Sequence, residues 1–100
     1  MNYDYLKPAS PEDANEYNLV DVEVEIEFSD LGDNDINMFE KGSVKTKKYD
    51  DHETIIAKLV VQVILRQEGR DYYVLFDDVY EEVYDSLNSC EYNILNWEIV

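Results

Sequence analysis

Several kinds of chemistry lack raw material in this 100-residue chain. Cys90 is the single cysteine, so the chain closes no internal disulfide and a reducing compartment suits it better than a secreted one. No positive neighbour favours its thiolate, so a buried, inert thiol is expected. His52 is the one histidine, placed between acids in DDHE, which suits a surface or capping residue better than a general base. Gly32, Gly42 and Gly69 stand far apart, so there is no glycine-rich loop to cradle phosphates, and no serine sits in a nucleophile elbow. No segment approaches the roughly 18 apolar residues of a membrane span. The first residues, MNYDYLKPASPEDANEY, have neither a basic n-region nor an apolar run. The expectation is a soluble, cytoplasmic protein that is not an enzyme, with no catalytic residue, no cofactor and no membrane partner.

Positive charge is the next scarcity. Eight Lys and Arg stand against 24 Asp and Glu, a formal charge of −16. Residues 8–40 carry 11 acids and no base, residues 71–100 carry 8 acids and no base, and residues 41–70 hold 7 of the 8 bases. Direct nucleic-acid binding is opposed by this field, because phosphates are bound by replacing their counterions with Lys and Arg. Yet 45% of residues are hydrophobic and 13% aromatic, which excludes simple disorder. One hundred residues make one core, not two.

Periodicity predicts the elements. Residues 1–18 hold Pro8 and Pro11 and no periodic pattern, so a mostly irregular arm is expected, with Tyr3, Tyr5 and Leu6 available to pin it to a body formed by residues 19–100. In LVDVEVEIEF, Leu19–Phe28, apolar and acidic residues alternate, the period of a strand with one buried face. Residues 29–42 read as a long connection with one helical turn near Ile36 to Glu40, and residues 43–49 as a short strand whose lysines suit a sheet edge. TIIAKLVVQVILRQ, residues 54–67, alternates with β-branched residues and reads as a strand; Glu68-Gly69-Arg70 then turns it into DYYVLF as a hairpin. Val79, Tyr80, Val83, Tyr84 and Leu87 fall at helical spacing, with Asp78 and Glu81 as a capping-box-like start. YNILNWEIV closes the chain as a strand with Leu95, Trp97 and Ile99 on one face. The fold predicted is α+β, order ββββαβ: a mostly antiparallel sheet of four to five strands with one short helix packed on it.

Metal binding has one weak signal. Asp33, Asp35 and Asn37 occupy the first three ligand positions of an EF-hand-like loop, but Met38 stands where glycine is required and Val44 where the bidentate glutamate belongs, so no metal site is assigned.

The acids are the substance of the chain. Solubility accounts for some of them. Internal pairing accounts for others, if Lys45 and Lys47 lie across the sheet from Glu23 and Glu25. Salt adaptation fits poorly with bases clustered in the middle third. Recognition of a basic surface accounts for the pattern itself. Asp21, Glu23, Glu25 and Glu27 stand roughly 6.6 Å apart along one strand face, a ruled line whose self-repulsion calls for a use outside the fold. Asp77, Asp78, Glu81, Glu82 and Asp85 form a second ridge, and Tyr80 and Tyr84 beside it suit docking on Arg and Lys. These eleven residues are the predicted partner-binding set.

In size, charge and patterning over the whole chain, though in no motif, the protein is similar to the DNA-mimic inhibitors of phages and mobile elements, such as anti-restriction and anti-CRISPR proteins. The likeness implies an inhibitor that occupies the nucleic-acid groove of a nuclease or other DNA- or RNA-binding protein. An immunity protein that neutralises a nuclease toxin presents the same electrostatics, and an acidic adaptor subunit of a complex is a third reading.

Overall fold

Alternation places the core. Val20, Val22, Val24 and Ile26 are fully buried, while the acids between them turn to the other side of the strand. The same period buries Ala57, Leu59, Val61 and Val63 in the neighbouring strand and leaves Lys58, Val60, Gln62 and Ile64 on its opposite face.

The computed structural model describes residues 5–30, 32, 34–87 and 91–100. Among these the order is β1 (Leu6–Ala9), β2 (Leu19–Phe28), β3 (Lys45–Lys48), β4 (Glu53–Ile64), β5 (Arg66–Glu68), β6 (Asp71–Leu75), α1 (Phe76–Ser86) and β7 (Tyr92–Ile99), with 3-10 turns at Pro11–Asp13 and Ile36–Met38. The fold is α+β, with antiparallel sheets and one helix packed on them. The four-stranded sheet runs β3-β4-β2-β7, and a smaller one runs β1-β6-β5. Val79 and Val83 of α1 are fully buried in the cluster formed by the apolar faces of β2, β4 and β7, so the helix covers the inner face of the larger sheet.

Four expectations need correcting. The segment read as an irregular arm contains β1, which pairs with β6, and a 3-10 turn capped by Ser10 and Asp13. Pro8 is tolerated there because β1 is an edge strand. It is fixed by the β1–β6 ladder and by Lys7, whose Nζ donates to the Trp97 carbonyl at 2.6 Å and lies 4.9 Å from the indole centroid, while Tyr5 and Leu6 stay exposed. The long strand after Thr54 ends at Ile64; Leu65 is buried, its N–H donates to the Asn18 carbonyl, and the chain crosses into the second sheet. The hairpin at Gly69 is present, with φ +62 at the first loop position, but it belongs to that second sheet. In β7 the register against β2 shifts between Glu25 and Ile26, so Ile94 and Trp97 enter the core and Leu95 is turned outward by the bulge. Finally, Leu75 is the N-cap of α1 with no side-chain cap bond; Asp78, expected to cap the helix, accepts from Arg66 instead.

Candidate functional site

β2 lies inside its sheet, between β4 and β7, so its backbone is fully used in pairing and only the side chains of Asp21, Glu23, Glu25 and Glu27 are on offer. They form one row on the outer face, Asp21 exposed and the other three half-buried. Most of the row is answered from within. Gln62 donates to Asp21 at 3.4 Å, Lys58 approaches Glu23 at 3.7 Å, and the hydroxyls of Tyr49 and Thr54 each donate to Glu27 Oε2 at 2.7 Å. The Tyr49 bond, then the Thr54 bond, hold the Glu27 carboxyl below its ordinary value, with Lys47 and His52 adding attraction and burial opposing. Glu25 has no hydrogen bond or ion pair with a described residue; it lines a hollow of about 390 Å³ with Glu40, Lys41, Lys45 and Lys58.

The predicted pairing of Lys45 and Lys47 with Glu23 and Glu25 does not form, because β4 lies between β3 and β2. The base beside the row is Lys58, directly across from Glu25. Two acids that the pattern did not mark join the row. Glu98 stands opposite Glu23 on β7. Glu40 hydrogen-bonds Glu23, which together with burial and the Glu23 charge holds the Glu40 carboxyl above its ordinary value against the pull of Lys58. Its loop is clipped to β4: the Glu40 N–H donates to the Lys58 carbonyl at 2.7 Å and Ser43 Oγ accepts from the Lys58 N–H at 3.1 Å.

The helix carries the second ridge. Asp77, Glu81, Glu82 and Asp85 are exposed, as are Tyr80 and Tyr84, the latter at 63%. Asp78 is engaged internally: Arg66 grips both of its oxygens, Nε–Oδ2 at 2.6 Å and Nη2–Oδ1 at 3.0 Å, which ties β5 to the first turn of α1 and raises the Arg66 pKa. Tyr80 leans on the rings of Phe76 and Tyr92, with centroids 6.4 and 6.1 Å away, so one face is anchored and the rest is presented. Tyr72 and Tyr92 pack against the core, and Tyr92 bridges it to Tyr80. Because Val79 and Val83 point into the core beneath the sheet, the helix ridge and the β2 row lie on opposite sides of the molecule.

The remaining candidates form no centre. His52 is exposed, bonded to Asp51 and stacked on Tyr49 at 4.7 Å. Asp35 caps the Ile36–Met38 turn by accepting from the Asn37 N–H, while Asp33 lies outside the described residues, as does Cys90. Among the described residues no cluster of three or more His, Cys, Asp or Glu is placed to hold a metal, and no helix is long and apolar enough to cross a membrane. No family model, curated protein or solved structure matches the chain.

Proposed function

We propose that this is a small acidic binding protein that inhibits a nucleic-acid-binding protein or nuclease by presenting a DNA- or RNA-like negative surface to its basic groove, and that α1 is the surface presented. The observation that carries this reading is the helix's exposed face: Asp77, Glu81, Glu82 and Asp85 with Tyr80 and Tyr84, and no base in the last turn.

Two physical arguments favour α1 over the β2 row. The first is cost. Asp77 and Asp78 suit the positive end of the helix dipole, but Glu82 and Asp85 approach its negative end, and Asp77, Glu81 and Asp85 repel one another at i, i+4 spacing. The fold gains nothing from these last acids, which leaves an external partner as their use. The second is density. From Asp77 to Asp85 the helix rises about 12 Å at roughly 1.5 Å per residue. Four carboxylates free of Arg66 over that length give about one charge per 3 to 4 Å, close to the one per 3.4 Å of a single DNA strand. The β2 row is about half as dense, at one per roughly 6.6 Å, and Lys58 dilutes it further.

The test is a pull-down with tagged protein from lysate of its own host, eluted with a salt gradient, in parallel with the Glu81→Lys/Glu82→Lys variant. The reading requires a DNA- or RNA-processing protein that elutes at raised salt, is displaced by its own nucleic acid and is lost in the variant. Its identity separates a defence enzyme from a toxin. Retention indifferent to salt or to the charge reversal would return the ridge to solubility.

A further inference from the structure

The edges of both sheets are blunted, with one exception. β3 is four residues long with three lysines, β7 carries a bulge at Leu95 and an exposed Glu98, β1 carries Pro8, and β5 is three residues long with Arg66 and Glu68. Such features discourage strand addition. On its side away from β2, β4 is covered by β3 only over Glu53 to Ile56 and by the Glu40–Ser43 loop at Lys58. Residues 60–64 beyond it, VVQVI, hold neither a charge nor a proline.

The hydrogen-bond phase fixes which groups are open. The Leu65 N–H donates to the Asn18 carbonyl across the β2 side, and the Lys58 N–H and C=O point to the β3 side. Odd-numbered residues of β4 therefore bond β2, and the N–H and C=O of Val60, Gln62 and Ile64 point off the sheet with no strand of the described chain beside them. On the outer face above those groups, Val60 and Ile64 are 43% and 49% exposed.

We infer that this edge pairs with the same edge of a second copy of the chain, antiparallel about a two-fold axis at Gln62. Open backbone groups occur at even positions, so a two-fold centred on Gln62 places Gln62 against Gln62 of the second copy and Val60 against Ile64 of the second copy. Each such pair exchanges two backbone bonds. Apolar meets apolar, amide meets amide, and no charge is buried. The flanking bases are already engaged, Lys58 with Glu23 and Arg66 with Asp78. The departure of the chain at Leu65 and the clipped loop at Lys58 limit the window to these five residues, so the dimer is concentration-dependent.

The opposing term is charge, −16 on each copy. The two β2 rows would lie three strand spacings apart, about 14 Å, which exceeds the roughly 8 Å Debye length of physiological salt. Salt should therefore strengthen this dimer, whereas it weakens docking on a basic target. The two interactions have opposite salt dependence and can fail independently.

The experiment is sedimentation equilibrium over rising protein concentration at low and raised salt, with amide exchange followed under the same conditions. The inference expects a mass that climbs to twice the chain at raised salt and concentration-dependent slowing of the Val60, Gln62 and Ile64 amides. Gln62→Lys, which sets like charges on the two-fold, should weaken association by about tenfold or more. Val60→Lys serves as a second variant, and a thermal melt confirms that each folds, since both side chains lie on the open face. A single-chain mass at every concentration and salt overturns the inference, as does a dimer that both folded variants leave intact. Protection of the three amides only on adding a different protein would assign the edge to a partner's strand and overturn it equally.

Discussion

At the scale of residues, two carboxyls of the outer face are pushed in opposite directions. Glu27 is held low by Tyr49 and Thr54, so its folded form favours the carboxylate; the stability this lends is present above the unfolded value and is lost as pH falls through the folded one. Tyr49→Phe removes the larger of the two bonds, and an NMR titration of Glu27 should show its pKa rising toward the ordinary range, with acid unfolding beginning at higher pH. Glu40 behaves inversely. Its raised pKa favours the protonated form, so its contribution is full below the unfolded value and disappears as pH rises through the folded one. Glu40→Gln keeps the hydrogen bond to Glu23 without the second charge. Chemical denaturation should therefore find this variant more stable than the parent at neutral pH, with the difference closing in acid. Neither shift was legible in sequence, because Glu40 and Glu23 are brought together by a loop laid across β4 and Tyr49 reaches Glu27 from beyond an edge strand. What sequence does expose at this scale is the row itself, since alternation alone decides that four acids share a face.

Elements show where local rules suffice and where they stop. β2 and the body of β4 follow from period 2, whereas the cap at Ser10-Pro11-Glu12-Asp13, with Pro at the first helical position and Asp13 Oδ2 accepting from the Ser10 N–H at 2.9 Å, lies in the segment read as an irregular arm, because it shows no periodic pattern. The break at Leu65 is different: the residue keeps the period and is buried, and only its bond to the Asn18 carbonyl marks the departure into another sheet. The bulge at Leu95 is likewise a tertiary choice, made by which of two apolar residues best faces Ile26. At α1 the local and tertiary terms oppose each other. Asp78 pairs with Arg66 rather than capping, and because Asp78 is only 17% exposed and gripped through both oxygens, Arg66→Ala should lower the urea midpoint. Asp85→Lys should do the reverse, stabilising the helix's negative end by about 0.3–1 kcal/mol. If the acid serves a partner, the same variant loses retention on the basic target while its melting temperature rises. A variant that gains stability without losing the partner would mean that Asp85 lies outside the contact.

At the scale of the molecule the two acidic faces cannot act together on one flat surface. Sequence supplied both rows but not their relation, because a helix can cover either side of a sheet and the choice depends on which apolar face it meets. Here Val79 and Val83 meet the inner face, so the β2 row looks away from the ridge. Two double reversals separate their roles. Glu81→Lys/Glu82→Lys changes the charge of the ridge by four units, and Glu23→Lys/Glu25→Lys changes the row by the same amount, so both alter the net charge of −16 equally. A partner drawn only by the overall field would lose association rate to the same extent in both variants. A partner seated on α1 loses rate in both but retains its dissociation rate in the sheet variant alone, because short-range contacts govern departure. Surface plasmon resonance at two ionic strengths resolves these cases: the expected outcome is a fast-dissociating complex only for the helix variant, and equal dissociation rates would remove α1 as the docking face. The sheet variant also bears on folding, since Lys at 23 and 25 would face Lys58 and remove the ion pair at 3.7 Å. A folded, monodisperse Glu25→Gln protein, which loses one charge and no partner among the described residues, is the control that keeps the comparison interpretable.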